Sequence, residues 1–209
     1  HAEDIINQGL HGVFFFGSTG QSQLISMAEK KELVSKLPLS KLKKNFFLGT
    51  GFNSLNDNLE FIKYSMEYEF NTFLIMPPAY YKGNTEEGVF EFYTKIINNI
   101  PKVKIILYNF EKLSGFKFEP NFVKKLVSSY PKNIIGCKDS TYNLYDKIKI
   151  KDFLMFPGDE SKLLKGLEIG CSGCISAIAN VTHKLAREVF DDFQKNKTQK
   201  SNEKLINVR

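Results

Sequence analysis

Short apolar runs alternate along this chain with longer stretches in which apolar residues recur every three or four positions, and glycine or proline marks most junctions. A short apolar run bounded by turn residues reads as a strand buried on both faces, and the longer period reads as an amphipathic helix. On that basis residues 2–9 are predicted helical, with Ile5, Ile6 and Leu10 on one side, and Gly12–Phe16 is a strand that ends in Gly17-Ser18-Thr19-Gly20. A helix over Met27–Leu37 carries Leu33, Val34 and Leu37, and a strand within Asn45–Gly51 carries Phe46, Phe47 and Leu48. The next helix, capped by Ser54 or Asn56, has Leu55, Leu59, Ile62 and Met66 as its stripe. Thr72–Met76 is a strand stopped by Pro77-Pro78, and Thr85-Glu86-Glu87 opens a helix with Phe90, Tyr93, Ile97 and Ile100. Val103–Tyr108 is a strand, and residues 120–129 form a helix. Strands at Ile134–Lys138, Phe153–Phe156 and Cys174–Ile178 complete the series, with helices through Leu163, Leu164 and Leu167 and over residues 183–195. The lysine-rich stretch from Lys195 to Arg209 reads as a surface helix or a frayed end.

Strand–helix alternation, repeated seven times here, calls for parallel strands joined by helical crossovers. An open doubly wound sheet and a closed (β/α)8 barrel both satisfy it. The helix ahead of the first strand places an eighth strand upstream of His1, which favours the barrel. The expected class is therefore α/β, a (β/α)8 TIM barrel lacking its first strand and most of its carboxyl-terminal helices. No composition shift or long linker divides the 209 residues, so a single barrel domain over residues 1–209, incomplete at both ends, is expected.

Charge and cysteine content narrow the partners. The net charge is +6, but the lysines are scattered among acids, and Arg187 and Arg209 are the only arginines. A nucleic-acid groove concentrates its basic residues, so no nucleic-acid partner is expected. No apolar run approaches the roughly 20 residues of a membrane span, and His1-Ala2-Glu3-Asp4 has no signal core, so the expected location is cytoplasmic. The three cysteines, Cys137, Cys171 and Cys174, fit a reducing compartment. Cys171-Ser172-Gly173-Cys174 has redox or half-metal-site spacing, but there is no second pair, and the histidines are only His1, His11 and His183. These cysteines read as small buried residues in a strand, and no metal is expected.

In either architecture the active site sits at the carboxyl ends of the strands. Those ends carry Ser18-Thr19, Tyr80-Tyr81, Tyr108-Asn109, Lys138-Asp139-Ser140, Asp159-Glu160 and Ser176. Strand alternation puts Ile134, Gly136 and Lys138 on one face, with Gly136 leaving room beside the lysine. An amine with apolar walls is costly to keep charged, and a neutral amine attacks carbonyls to form a Schiff base. A lysine that simply reaches solvent from a strand end fits the same residues. In Gly17-Ser18-Thr19-Gly20 two glycines admit close backbone approach, so the N–H groups can cradle a carboxylate; an ordinary tight turn is the alternative. Tyr108 ends the strand before the lysine strand. If the two pair, they lie about 4.8 Å apart, and the phenol can pass protons to and from an imine; otherwise it is a core tyrosine with a satisfied hydroxyl. Asp159 and Glu160 either bind substrate hydroxyls or form the acidic first turn of a helix.

Taken in order, these motifs resemble the N-acetylneuraminate lyase and dihydrodipicolinate synthase superfamily of class I, pyruvate-dependent aldolases. The resemblance runs from His1 to about Val189 and rests on Gly17-Ser18-Thr19-Gly20, Tyr80-Tyr81, Tyr108-Asn109, Gly136-Cys137-Lys138-Asp139 and Gly158-Asp159, with Gly173-Cys174-Ile175-Ser176 followed by Asn180. It implies a (β/α)8 barrel with extra carboxyl-terminal helices, a homo-oligomer (dimer or tetramer), and no organic cofactor. Lys138 would be the Schiff-base lysine for pyruvate and Tyr108 the proton shuttle. Ser18 and Thr19, between Gly17 and Gly20, would hold the pyruvate carboxylate. Ser18 would also link Tyr108 to Tyr81, which in the family reaches a neighbouring subunit's site. Ser140, Asp159, Glu160 and Ser176 would bind substrate. The chain departs from the family at Gln21, where a glutamate is usual, and at Glu111, where a proline usually follows Tyr-Asn-x. Leu113 falls where the synthase branch carries an arginine for its second substrate, and Leu113-Ser114-Gly115 resembles the neuraminate lyase branch, as does Asp159-Glu160. The expected function is an aldolase or lyase joining or cleaving pyruvate and an aldehyde, with a 2-keto-3-deoxy sugar acid or N-acetylneuraminate type of substrate. A synthase condensing pyruvate with aspartate semialdehyde is the alternative within the class. A non-catalytic barrel that senses a 2-oxo acid is the alternative outside it.

Overall fold

In the computed structural model, which describes residues 1–208, six of the seven predicted strands form one parallel sheet in sequence order. They are β1 (Val13–Phe15), β2 (Phe46–Gly49), β3 (Thr72–Ile75), β4 (Lys104–Asn109), β5 (Ile134–Asp139) and β6 (Leu154–Pro157). The helices are α1 (Ala2–Asn7), α2 (Met27–Lys36), α3 (Leu55–Glu67), α4 (Glu86–Asn99), α5 (Glu111–Ser114), α6 (Pro120–Ser129), α7 (Leu163–Glu168), α8 (Ala179–Gln194) and α9 (Asn202–Asn207). Side chains or proline start several of them. Ser26 and Glu29 form a capping box on α2, Ser54 caps α3, Thr85 caps α4, and Pro120 opens α6. Among the described residues no helix is long and apolar enough to cross a membrane.

One face of the sheet packs under the helices. Leu48, Phe73, Ile75, Ile105, Leu107, Ile134 and Cys137 meet Val34, Phe61, Ile62, Tyr93, Ile96, Phe122 and Leu126. The other face gathers Leu74, Ile106 and Tyr108 with Phe14, Met76, Ile135 and Phe156. Apolar side chains on both faces explain the unbroken apolar runs of the strands.

Three expectations need correction. Cys174–Ile178 is not a strand, so neither Cys171 nor Cys174 lies in one. The Ser172 N–H donates to Met155 O (2.9 Å) and the Ile175 N–H to Pro157 O (3.1 Å), which keeps the segment beside β6. It advances three residues while β6 advances two, and Gly173 takes up the extra one in a left-handed conformation (φ +147°) that interrupts the ladder. In β5, Gly136 shares a face with Lys138 as expected, each lying opposite a residue of the same β4 face, but Ile134 does not. Ile105 pairs with Ile134 but Ile106 with Gly136, so Ile135 is an extra residue. That bulge puts Ile134 and Cys137 on the helix side and Ile135 on the other. Gly136 does not open space beside the lysine either; a Cβ there would lie 2.5 Å from Leu154 O, so the glycine permits close approach of the β6 backbone. On α3 the buried positions are Asn58, Phe61, Ile62 and Ser65, which widens the expected stripe beyond Leu55, Leu59 and Met66, partly buried on the core. Asn58 Nδ2 donates to Phe52 O and Ser54 O, and Ser65 Oγ to Phe61 O, so the buried polar groups are satisfied. The tail holds α9, whose Leu205 is fully buried with Leu163, Leu167, Ala186 and Val189.

The amino-terminal residues lie against α8. Arg187 Nη1 donates to Gly9 O (3.0 Å) and lies 3.1 Å from His11 Nε2; His183 Nε2 meets Gln8 Oε1 at 3.0 Å and His1 Nε2 meets Asn180 Oδ1 at 3.2 Å.

Two buried polar centres stand out. Asp139, at the carboxyl end of β5, is fully buried and accepts from Asn109 Nδ2 (2.7 Å) and from the N–H groups of Thr141 (3.2 Å), Tyr142 (2.8 Å), Leu144 (2.8 Å) and Tyr145 (3.0 Å). Asn109, buried at the end of β4, also donates to Asn143 Oδ1 (2.8 Å) and accepts from the Phe118 N–H (3.3 Å). The second centre is Lys30 on α2, with no exposed surface, whose ammonium donates to Thr50 O at 2.7 Å. Burial pushes its pKa down to about 8, against a smaller opposing effect of Asp57.

Asp139→Ala strands a set of buried donors at once. The expected cost is at least about 3 kcal/mol, read from urea unfolding; a midpoint equal to wild type shows that the carboxylate does not hold the loop. For Lys30 the folded pKa lies below the unfolded one, so between about pH 8 and 10.5 the unfolded chain binds the extra proton. Stability from this group is therefore expected to rise with pH across that window. The rise is measured as the difference between wild type and Lys30→Met in denaturation midpoints, and a difference that stays flat contradicts it.

Candidate active site

The site begins where β1 turns. Phe16 takes a left-handed backbone (φ +59°), and the chain then runs through Gly17–Gly20 to Gln21 (φ +53°). The Gln21 N–H closes on Ser18 O (3.0 Å) and the Ser22 N–H on Gly17 O (3.4 Å). Left-handed conformations are uncommon for residues other than glycine and mark segments held by their surroundings. Ser18, half-buried on this turn, places its Oγ 2.8 Å from the hydroxyl of Tyr108, 90 residues further on.

Pairing of β4 with β5 sets Tyr108 beside Lys138 and Asn109 beside Asp139. Alternation then separates two roles. Asn109 and Asp139 join the buried network under the loop, while Tyr108 and Lys138 turn to the other face. Lys138 is 9% exposed, and its Nζ lies 4.4 Å from the centroid of the Tyr108 ring. Amine, phenol and Ser18 hydroxyl are thus brought together from the ends of three strands. Thr19 and Gly20 are exposed on the same turn, and Ser140 follows Asp139 with its N–H on Asn109 O (2.8 Å).

A second group comes from β6 and the segment beside it. Asp159 is buried and caps the short turn at Glu160–Lys162 by accepting from the Ser161 N–H (2.9 Å), with the Tyr142 hydroxyl 3.5 Å from its Oδ2. Glu160 is fully buried; its Oε2 accepts from Ser176 Oγ, while its Oε1 has no hydrogen-bond partner among the described residues. Burial pushes the Cys174 thiol up to about 12, the charge of Glu160 pushes the same way, and that of Lys138 opposes them. Cys174 therefore lies within electrostatic reach of both groups as a neutral thiol, and Cys171 is likewise raised to about 11, chiefly by burial. Neither is a ready nucleophile or thiolate ligand.

Tyr81 stands apart, 83% exposed, its ring 5.1 Å from that of the equally outlying Tyr80. It makes no hydrogen bond to Ser18 within this chain. Leu113 lies on α5 and is 41% exposed. The sequence reading assigned no role to Asn109, Asp139 or Lys30. A signal existed for the first two, since an amide and a carboxylate directly follow the two reactive residues on strands expected to be neighbours.

The chain matches the model of the dihydrodipicolinate synthetase family over residues 2–209. It is 30% identical over 202 residues to a 4-hydroxy-tetrahydrodipicolinate synthase of Hydrogenobaculum, covering 91% of this chain and 68% of that protein. It is 27% identical over 207 residues to a 2-dehydro-3-deoxy-D-gluconate/2-dehydro-3-deoxy-phosphogluconate aldolase of Picrophilus torridus, covering 94% and 76%. The chain spans from 64% to 76% of the length of these and similar curated relatives. Among solved structures, YagE of Escherichia coli, a protein of the dihydrodipicolinic acid synthase family in complex with pyruvate, superposes with a TM-score of 0.89 at 24% identity, over 99% of this chain and 72% of that one. At that identity the likeness speaks for the fold. The match of the family model along almost the whole sequence speaks for descent: the chain belongs to the dihydrodipicolinate synthetase family.

Proposed function

We propose that this chain carries the site of a class I aldolase or lyase that makes or breaks a carbon–carbon bond between pyruvate and an aldehyde through an imine on Lys138. One observation supports this most: the Lys138 amine against the Tyr108 ring at 4.4 Å, with the Tyr108 hydroxyl 2.8 Å from Ser18. Chemistry of this kind runs through a lysine imine and needs no separate cofactor, as is general in the family. In the cleavage direction the amine adds to the ketone of a 2-oxo acid and water leaves, giving a protonated imine. The imine nitrogen accepts the electron pair of the bond between C3 and C4 as that bond breaks. Tyr108 takes the proton of the C4 hydroxyl, the aldehyde departs, and Tyr108 returns a proton to C3. Hydrolysis of the imine then releases pyruvate and the free lysine. Ser18 orients the phenol, and Ser18 and Thr19 with the N–H groups of the Gly17–Gly20 turn hold the substrate carboxylate. Tyr81, so exposed on the single chain, is proposed to complete the site of a neighbouring copy in a homo-oligomer.

For the second substrate we favour a hydroxylated aldehyde, released from a 2-keto-3-deoxy sugar acid or an N-acetylneuraminate type of compound. Asp159 and Glu160 are buried at the end of β6 beside Ser176, and Glu160 Oε1 is an acceptor without a donor among the described residues. Leu113 offers no bidentate partner for a carboxylate where a guanidinium would. The second reading is condensation with aspartate semialdehyde, favoured by the synthases among the relatives and by Lys112 next to Leu113.

Borohydride added with pyruvate is expected to fix the mass of reduced pyruvate on Lys138, and Lys138→Ala should abolish that gain; labelling that persists in the mutant removes Lys138 from the mechanism. A wild type that binds a 2-oxo acid yet never traps it supports the sensor instead. Tyr108→Phe is expected to lower turnover by about 10²–10⁴ while pyruvate binding survives, so near-normal turnover would acquit the phenol. The partner is decided by kcat/KM. Values for sugar acids should exceed that for aspartate semialdehyde by roughly ten- to a hundredfold, the worth of one missing charge-assisted bond, and a clear advantage for the semialdehyde reverses the assignment.

A further inference from the structure

Lys30 is a buried ammonium that no step of the proposed reaction uses. Besides its bond to Thr50 O, its Nζ lies 3.6 Å from the centroid of the Phe52 ring and 5.6 and 5.9 Å from those of Phe16 and Phe61. Ring faces attract a cation, and a desolvated one more strongly. A charge buried on these terms is expensive, and what surrounds it shows what it holds. Phe16 is the residue immediately ahead of the Gly17–Gly20 turn, in its left-handed conformation, with its ring edge-on to Phe61 at 5.7 Å. Ser22 lies immediately behind the turn's last residue, Gln21, and its N–H returns to Gly17 O. Gly51 follows Thr50 with φ +64°, pressed so close that a Cβ would meet Ser22 Oγ at 2.4 Å and Lys30 Nζ at 3.2 Å. Thr50 is itself fastened to β3 by its N–H on Leu74 O (3.2 Å). One ammonium therefore engages the strand end through Thr50 and the first stem of the turn through the Phe16 ring, and Gly51, packed beside it, meets the second stem at Ser22.

We infer that Lys30 is a positioning residue for the carboxylate-binding turn: held by Thr50 and three phenylalanine rings, it fixes Phe16 directly and Ser22 by way of Gly51, and through them the placement of Ser18 and Thr19 toward the 2-oxo acid and of Ser18 toward Tyr108. This role rests on the aldolase reading given above.

Lys30→Met keeps the length and apolar bulk of the side chain and deletes its charge, Lys30→Arg keeps the charge, and Phe52→Leu opens the ring cage without touching the turn. Three measurements compare them with wild type: the pyruvate concentration giving half-maximal borohydride trapping, the thermal midpoint, and hydrogen exchange of the amides from Gly17 to Ser22. Lys30→Met is expected to stay folded and to be trapped fully at saturating pyruvate, with half-saturation raised about tenfold or more and faster exchange across the turn. Lys30→Arg should restore both readouts toward wild type, and Phe52→Leu should move both in the direction of Lys30→Met. Half-saturation and exchange unchanged in Lys30→Met overturn the inference. If that variant does not fold, Phe52→Leu decides by the same two readouts. A wild type that traps no pyruvate sinks the aldolase reading alone, and the exchange rates of the turn then decide the role of Lys30.

Discussion

The carboxylate of Asp139 is the interaction on which the carboxyl end of the sheet depends. One buried carboxylate satisfies the Asn109 amide and four N–H groups of the loop that follows. Backbone donors that leave a strand end and stay buried must find acceptors, and here a single side chain supplies them. Because Asp139 pairs with Asn109 in the parallel register, the same contact fixes the neighbours one residue back, Lys138 and Tyr108, on the opposite face. A structural pair and the proposed reactive pair thus share one register, and neither can slip without the other.

The arrangement separates rigidity from chemistry by face. The helix side of the sheet is closed by large apolar groups such as Phe73, Ile105 and Leu107. The opposite side carries the amine, the phenol and a smaller apolar cluster. Burial drives both faces, but only the second carries the amine and the phenol at its strand ends. The thiol of Cys174 stays neutral beside the amine of Lys138, because burial and the nearby Glu160 keep its proton on.

Much of this was legible in the residues. Unbroken apolar runs located β1 to β6, and the polar groups that end them included Ser18, Tyr108 and Lys138, which the fold does bring together. Alternation failed where the backbone leaves its period. The extra residue at Ile135 changes faces within β5, and Gly173 breaks the ladder that Cys174–Ile178 would otherwise have joined. Neither bulge nor left-handed glycine alters hydrophobicity, so a pattern of apolar positions is blind to both. The α3 stripe was incomplete for another reason: Leu55, Leu59, Ile62 and Met66 do pack on the core, but Asn58 and Ser65 are buried as well because their own helix and its entry loop satisfy them. Lys30 was invisible because a lysine among Glu29, Lys31 and Glu32 looks solvated. Only the three rings around it, drawn from the turn after β1, from the loop after β2 and from α3, reveal otherwise.

The contacts of the first helix and its exit with α8 have a consequence for how the chain assembles. His1 meets Asn180, Gln8 meets His183, and Arg187 meets Gly9 and His11, across separations of 175 to 179 residues. Joining points so distant along a polymer costs entropy that grows with the logarithm of the span, whereas each strand–helix unit closes only a short loop. The neighbouring strands can therefore zip up in succession while this contact waits for nearly all of them. It is the clasp of the molecule, the contact whose closure costs the most chain entropy and, made mostly of exposed polar groups, one expected to open readily.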